Sequence, residues 1–247
     1  MIKAIPNMLT IGNLFVGVLA MLLAFQNEYK YVDYAAITVI IGMLLDGLDG
    51  RMARLLNAQS EFGKELDSLS DVITFGVAPA FIMYVASLQS LGTIGIMVTA
   101  IFPICGALRL ARFNVQTGGN TGYFVGLPIT AAGGALATLA LYHNMFSGFY
   151  LLITMLLLSF LMVSKVKYPN FKKVGFPKSA YWAAPLLIAI VVVLGLMFPT
   201  QFPKIVCVPL AAYALYGIKK NMDHFRKKDK KATQVEKDDQ VYRDSSL

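Results

Sequence analysis

Long apolar runs separated by short polar segments dominate the hydropathy pattern of this chain. Several runs approach 20 residues, the length that an α-helix needs to cross the hydrocarbon core of a bilayer. The runs are continuous and do not alternate, so they predict helices and exclude a membrane β-barrel. The expected fold class is therefore all-α, a polytopic membrane bundle of about eight transmembrane helices. Their approximate bounds are 7–26, 34–56, 61–88, 91–113, 124–143, 149–166, 180–198 and 203–218.

The basic residues predict how this bundle is oriented in the membrane. An even number of helices places both termini on one side. Of the 22 lysines and arginines, only Lys30 and Lys204 would lie on the other side. Because basic loops stay in the cytoplasm, we expect both termini and the loop between the second and third helices to be cytoplasmic.

The composition supports a membrane protein and changes the interpretation of the charge. The 247 residues are 57% hydrophobic and only 15% charged, which is too apolar for an ordinary soluble domain. A net charge of +8 could suggest nucleic acid in a soluble protein. Here we attribute it to topology and to attraction for anionic membrane lipid, and expect no nucleic-acid partner. Cys105 and Cys207 lie in apolar runs and predict buried thiols without a disulfide.

Four aspartates lie near the predicted cytoplasmic ends of the second and third helices. Asp46 and Asp49 are three residues apart, and Asp67 and Asp71 are four apart, so each pair shares one helix face. Gathered carboxylates repel one another, and one ionised aspartate at the centre of a membrane helix costs roughly 2.5–3.5 kcal/mol. Hard divalent ions such as Mg²⁺ or Mn²⁺ prefer carboxylate oxygens. The pattern predicts a metal site able to hold two ions.

Small and cationic residues beside the aspartates point to a phosphate ligand. Gly50 and Gly63 would allow a ligand or another backbone to approach closely. Arg54, Arg109 and Arg112 could bind phosphate oxygens left over from a metal-bridged pyrophosphate. Two divalent ions can stabilise a phosphoryl displacement. The nucleophile then needs a base, and the spacing alone leaves open which aspartate supplies it.

The motif resembles the signature of the CDP-alcohol phosphotransferases. The matching pattern is Asp46-x-x-Asp49-Gly50-x-x-Ala53-Arg54, eight residues, then Gly63-x-x-x-Asp67-x-x-x-Asp71, and Pro6-Asn7-x-x-Thr10 resembles an upstream element of that family. The resemblance implies transfer of a substituted phosphoryl group from a CDP-linked donor to an alcohol, with CMP leaving. It also implies a transmembrane core over 1–175, two additional helices over 176–220 and a charged cytoplasmic tail over 221–247.

The resemblance also implies roles for individual residues. The metal ligands for two ions, Mg²⁺ or Mn²⁺, would be Asp46, Asp49, Asp67 and Asp71, with Asp71 also the general base. The residues that would bind the CDP-diacylglycerol donor are Asn7, Thr10, Asp49, Gly50, Ala53, Arg54, Ser60 and Gly63. The residues alone leave a structural alternative for three of these, because Asn7 and Thr10 could cap the first helix and Ser60 the third.

Four further stretches resemble the membrane-embedded phosphatidylserine synthases of bacteria and archaea. They are DSLSDVITFGVAP (67–79), GALRLARFN (106–114), FVGLP (124–128) and MVSKVKYPNFKK (162–173). The resemblance implies L-serine as the acceptor, phosphatidylserine and CMP as products, a homodimer, and a prokaryotic plasma membrane. Serine is a zwitterion, and the candidates to bind it are Ser70, Thr74, Arg109, Arg112 and Asn114. The two arginines could instead anchor the topology or contact lipid phosphate.

Two alternatives to serine transfer remain. One is the same reaction class with another acceptor, glycerol 3-phosphate or an inositol phosphate, which would favour more cationic residues near the site. The other is a metal-ion transporter, which predicts acids near the midplane of several spans. This chain instead places its acids at one end of two adjacent helices and has no evident internal repeat.

Overall fold

The structure is a computed structural model that describes residues 4–26, 28–116, 123–142 and 144–169. The predicted helices at 180–198 and 203–218 and the charged tail lie outside the described residues. Among the described residues the α-helices are α1 (Ala4–Phe25), α2 (Tyr29–Leu55), α3 (Glu61–Asp71), α4 (Ala78–Ala86), α5 (Thr93–Gln116), α6 (Ile129–Ala140) and α7 (Gly148–Val163).

Four helical stretches are long and apolar enough to cross a membrane. They are Ala4–Phe25, Lys30–Leu55, Glu61–Ala86 and Thr93–Val115. The helices α6 and α7 have 12 and 16 residues, which is shorter than the roughly 20 residues of a full span. The helical membrane architecture is confirmed for the four long stretches, and the total of eight stays a prediction.

One face of α1 carries small residues at helical spacing and packs into the bundle. The buried positions on this inner face are Pro6, Thr10, Asn13, Gly17, Ala20 and Ala24. The opposite face exposes Met8, Phe15 and Leu22. Small side chains let membrane helices approach closely, while large apolar side chains suit contact with lipid. This packing brings the first turns of α1 against the end of α2 that carries the aspartates.

The helix that carries the second aspartate pair changes from α-helical to π-helical geometry directly after Asp71. A π-helical segment, Val72–Val77, joins α3 to α4, and the N–H of Ala78 donates to the carbonyl of Ile73, five residues earlier. Such wide turns are uncommon and often lie at functional sites. Here the segment buries Thr74, Phe75 and Gly76, so the winding changes where the helix passes from the site into the packed bundle.

A short strand pair was not predicted by the hydropathy pattern. Strand β1 (Tyr123–Val125) pairs antiparallel with β2 (Lys167–Pro169). The predicted helix start at 124 was therefore wrong, because α6 begins only at Ile129. Gly126 has a φ of 79°, which favours glycine, and Pro128 disfavours helical geometry at the residue before it. The predicted helix end at 166 was also late, since α7 ends at Val163.

We expect Gly133→Ala to destabilise the bundle. A Cβ at Gly133 would overlap the backbone carbonyl of Phe75 in the π-helical segment, and backbone cannot move as a flexible side chain can. Overpacking of this kind costs about 1–3 kcal/mol, so thermal unfolding in detergent should begin at a lower temperature.

Gly12→Ala is the matched control for this prediction. A Cβ at Gly12 would meet only Leu45 Cδ1, at 3.8 Å, which is ordinary van der Waals contact. Because alanine favours a helix by roughly 1 kcal/mol over glycine, this variant should be as stable as the parent or more so. Equal unfolding temperatures for the two variants would contradict the packing assigned to Gly133.

Candidate active site

Three of the four motif aspartates converge between α2 and α3. Asp46 and Asp49 come from the last turns of α2, and Asp67 comes from the second turn of α3. Each offers a carboxylate oxygen, and these atoms all lie within 4.8 Å of one another. Two opposite ligands of an octahedral Mg²⁺ ion are about 4.2 Å apart, since each bond is 2.0–2.1 Å. The spacing and the hard oxygen donors therefore fit a divalent ion.

The reversal between α2 and α3 brings the two aspartate pairs together. Asn57 has a φ of 47°, a left-handed conformation that asparagine tolerates better than most residues. The N–H of Ala58 donates to the carbonyl of Ala53 at 2.9 Å, which closes the end of α2 in the manner of a Schellman motif. Ser60 Oγ then accepts from the N–H of Gly63 at 3.0 Å. The cap predicted for Ser60 is confirmed.

A side chain from α1 fixes one of the clustered carboxylates. Thr10 Oγ1 donates to Asp49 Oδ2 at 2.8 Å, and both residues are buried, Asp49 to 4% exposure. The same hydroxyl lies 3.1 Å from the carbonyl oxygen of Pro6. A partner of this kind orients a metal-binding carboxylate from outside the ligand set. Thr10 thus has a role beyond capping the first turn of α1.

Asp71 lies beside the three-carboxylate cluster, at the end of α3. It is 8% exposed and close enough to Asp46, Asp67 and Asp49 to interact with them electrostatically. The positive charge that acts on it comes from Arg109 of α5. Asp71 is therefore an acid at the edge of the cluster, next to the cation of another helix.

A cavity of about 510 Å³ opens next to the aspartates. All eight residues that the family resemblance assigns to the donor line it, namely Asn7, Thr10, Asp49, Gly50, Ala53, Arg54, Ser60 and Gly63. A Cβ at Gly50 would meet only Arg54 Nη1, at 3.8 Å, so this glycine leaves room for a ligand. A Cβ at Gly63 would lie 2.9 Å from Asn7 Oδ1, so that glycine is needed for the approach of α1.

Ala58, Gln59 and Lys64 also line the cavity, although the sequence pattern assigned them no role at the site. Ala58 and Gln59 lie in the loop between α2 and α3, and Lys64 lies in the first turn of α3. The signal that could have found them is their position within or beside the gap between the two halves of the aspartate motif. Gln59 adds an amide and Lys64 adds a cation to the cavity wall.

The five candidate serine-binding residues fall into two groups by their contacts. Four of them hold helices together in this structure. Ser70 Oγ donates to the Thr10 carbonyl at 3.2 Å, Thr74 Oγ1 to the Asn13 carbonyl at 2.9 Å, Arg112 Nη1 to the Val163 carbonyl at 2.8 Å, and Asn114 Nδ2 to Ser68 Oγ at 2.9 Å. Arg109 is buried to 7% exposure, with its guanidinium 5.4 Å from the centre of the Phe113 ring, and its positive charge acts on Asp71.

Comparison with protein families identifies this arrangement. A family model described as CDP-alcohol phosphatidyltransferase matches residues 3–217. This chain belongs to the CDP-alcohol phosphatidyltransferase family. It is an enzyme, a transferase of phospholipid biosynthesis, and the predicted family is confirmed. The family is generally dependent on divalent metal, in agreement with the carboxylate cluster of this member.

The sequence of this phosphatidyltransferase aligns over most of its length with several proteins of known name. The CDP-diacylglycerol–serine O-phosphatidyltransferase of Helicobacter pylori (strain J99) is 40% identical over 225 residues, 86% of this chain and 89% of the relative. The protein of the same name in Bacillus subtilis is 43% identical over 169 residues, 68% and 92% respectively. The archaetidylserine synthase of Methanothermobacter thermautotrophicus is 38% identical over 176 residues, 70% and 72% respectively.

We expect Thr10→Val to weaken metal binding without unfolding the protein. Valine keeps the shape of threonine and removes the hydrogen bond to Asp49. Loss of such a partner typically lowers metal affinity by roughly ten- to hundredfold. Titration of Mn²⁺ into the purified protein, followed by electron paramagnetic resonance, measures the affinity directly.

Thr38→Val is the control for Thr10→Val. Thr38 is also a buried threonine, but its hydroxyl donates to the Tyr34 carbonyl of its own helix. This variant should bind Mn²⁺ as the parent does. An unchanged affinity in Thr10→Val would show that the hydrogen bond to Asp49 does not orient a metal ligand.

Proposed function

We propose that this phosphatidyltransferase transfers the phosphatidyl group of CDP-diacylglycerol to the hydroxyl of L-serine, giving phosphatidylserine and CMP. The observation that carries the proposal is the convergence of Asp46, Asp49 and Asp67 at the wall of a cavity lined by the donor-binding motif. The choice of serine is supported by the relatives, whose names differ in the lipid but agree in serine.

The donor occupies the cavity between α1, α2 and α3 in this proposal. Gly50 and Ala53 leave space for the nucleotide, while Arg54 and Lys64 offer positive charge to its phosphates. Asp46, Asp49, Asp67 and Asp71 hold two divalent ions, Mg²⁺ or Mn²⁺, since all-oxygen ligands suit both. When bound, these ions neutralise charge on the pyrophosphate oxygens.

Asp71 is the general base in this proposal. It takes the proton of the serine hydroxyl as the serine oxygen bonds to the phosphorus that carries the diacylglycerol. The bond from that phosphorus to the oxygen shared with CMP breaks, and CMP leaves. The position of Asp71 beside the three clustered carboxylates supports this role, because a base must be near the ligands yet retain an oxygen for the proton.

Arg109 is our first candidate to bind the carboxylate of serine. It is buried, it lies near Asp71, and it comes from a third helix that faces the aspartates. A carboxylate bound there would place the serine hydroxyl next to the base. Ser70, Thr74, Arg112 and Asn114 remain candidates for the acceptor site, where their hydrogen bonds between helices would shape it.

The orientation in the membrane is part of the proposal. Among the described residues, Arg51, Arg54, Lys64, Arg109 and Arg112 all lie toward the aspartate end of their helices, whereas Lys30 begins α2 at the other end. The positive-inside rule then places the site at the cytoplasmic face of a prokaryotic plasma membrane. A homodimer completes the proposal and rests on the family resemblance.

The test of this function compares acceptors one at a time. Purified protein is supplied with CDP-diacylglycerol, Mn²⁺ and either L-serine, glycerol 3-phosphate or inositol phosphate, and CMP release is followed. We expect release with serine alone, and loss of release when a chelator removes the metal. Release with a phosphorylated acceptor would replace serine and keep the reaction class. Transport of Mn²⁺ into vesicles without CMP release would favour the transporter alternative.

We expect Asp71→Asn to lower kcat while CMP still binds. Asparagine keeps the shape of the side chain but cannot take a proton, and general-base catalysis contributes roughly 10²–10⁴-fold. Turnover with saturating metal and CMP binding by calorimetry measure the two effects. Asp33→Asn, in the first turns of α2 at its other end, is the control and should keep the parent rate. Near-normal turnover of Asp71→Asn would exclude Asp71 as the base.

A further inference from the structure

A fully buried amide lies beneath the aspartate cluster. Asn13 is 0% exposed on the inner face of α1, three residues deeper than Thr10. Neither its Oδ1 nor its Nδ2 has a hydrogen-bond partner among the described residues. In a membrane core, a buried amide without a partner is costly, and an apolar side chain of similar shape would avoid that cost. The amide therefore needs a function that leucine could not supply.

The surroundings of this amide are kept small by glycine. A Cβ at Gly42 of α2 would lie 2.9 Å from Asn13 Oδ1 and 2.7 Å from Thr74 Cγ2. The amide thus faces bare backbone on α2, four residues before Asp46. Thr74 Oγ1 donates to the Asn13 carbonyl, which holds this point of α1 against the π-helical segment. The packing leaves the amide facing the gap between α2 and that segment.

Two hydrogen bonds hold α1 near Asn13 against the helix that carries Asp71. Ser70 Oγ donates to the Thr10 carbonyl and Thr74 Oγ1 donates to the Asn13 carbonyl, so Asp71 lies between the two contacts along its helix. Oδ1 of Asp71 is also buried and has no hydrogen-bond partner among the described residues. Within the described part of the chain, the Asn13 amide and Asp71 Oδ1 are thus buried polar groups that still need a hydrogen-bond partner.

We propose that Asn13 is a positioning residue whose amide binds an ordered water that also hydrogen-bonds Asp71 Oδ1. One bridging water links polar atoms about 5 Å apart, since each of its hydrogen bonds is near 2.8 Å. Asp71 precedes Thr74 by three residues, a rise of about 4.5 Å along the helix, and Thr74 contacts the backbone of Asn13. The amide can either donate a hydrogen bond to this water or accept one from it. The bridge keeps the Asp71 carboxylate directed at the serine hydroxyl. The inference rests on the proposed role of Asp71.

The test is Asn13→Leu, which removes the polar atoms and keeps the branching and the number of heavy atoms of the side chain. We expect kcat for CMP release with serine to fall by at least about tenfold, because small misplacements of a reacting group are costly in rate. KM for serine and for CDP-diacylglycerol should stay unchanged, and the unfolding temperature should stay the same or rise. Asn13→Ser should recover part of the lost kcat, since a hydroxyl with a second water can rebuild the bridge.

Thr138→Val is the control for a buried polar-to-apolar change. Its hydroxyl donates to the Gly134 carbonyl of its own helix in α6, and this variant should keep the parent kcat. If Asn13→Leu keeps the parent kcat, the amide has only a packing role and the proposal fails. If KM for serine rises while kcat holds, Asn13 contacts the acceptor directly and the proposal also fails.

A measurement that does not depend on turnover separates this inference from the proposed function. An experimental structure of the parent protein that shows ordered waters should place one within hydrogen-bonding distance of both the Asn13 amide and Asp71 Oδ1. A direct bond from Asn13 to protein backbone, with no water between, would overturn the bridge. If serine proves not to be the acceptor, the same structure still tests the bridge.

Discussion

The repulsion among carboxylates gathered at the membrane end of two helices is the constraint on which the rest of this structure depends. Asp46, Asp49 and Asp67 place oxygens within 4.8 Å of one another, a distance at which like charges repel one another. The fold opposes that repulsion locally. Thr10 donates a hydrogen bond to Asp49, the cation of Arg109 acts on Asp71, and the ligand set suits divalent ions. A cluster of this kind fits a site that binds positive charge.

The sequence predicts features that depend on neighbouring residues. It does not predict features that depend on contacts between segments far apart along the chain. The length of the apolar runs predicts the four long helical stretches. The spacing of the aspartates predicts that the members of each pair share one helix face. The Ser60 cap could also be predicted, because the Ser60 hydroxyl and the Gly63 N–H that donates to it are three residues apart. The strand pair joins Tyr123–Val125 to Lys167–Pro169, and nothing local to either segment indicates the other. The π-helical winding of Val72–Val77 likewise depends on packing from other helices.

The helix α5 connects the aspartate site to the rest of the bundle. Asn114 donates to Ser68 on α3, and Arg112 donates to the carbonyl of Val163, the last residue of α7. A cation at a helix C-terminus satisfies carbonyls that have no partner within the helix. The sequence could not distinguish this role from binding of serine, because both need a cation at the same end of the bundle. Arg109 lies one turn before these two anchored residues on α5.

The inner face of α1 shows how one helix can serve both packing and chemistry. Toward the aspartates this face carries Thr10 and Asn13, and toward the other end it carries Gly17, Ala20 and Ala24. The far half must be small, because a Cβ at Gly17 would lie 2.8 Å from the Cα of Thr74. The far half packs without a polar side chain, so packing alone does not require one in the near half. The hydroxyl of Thr10, which donates to Asp49, therefore reflects the demands of the site.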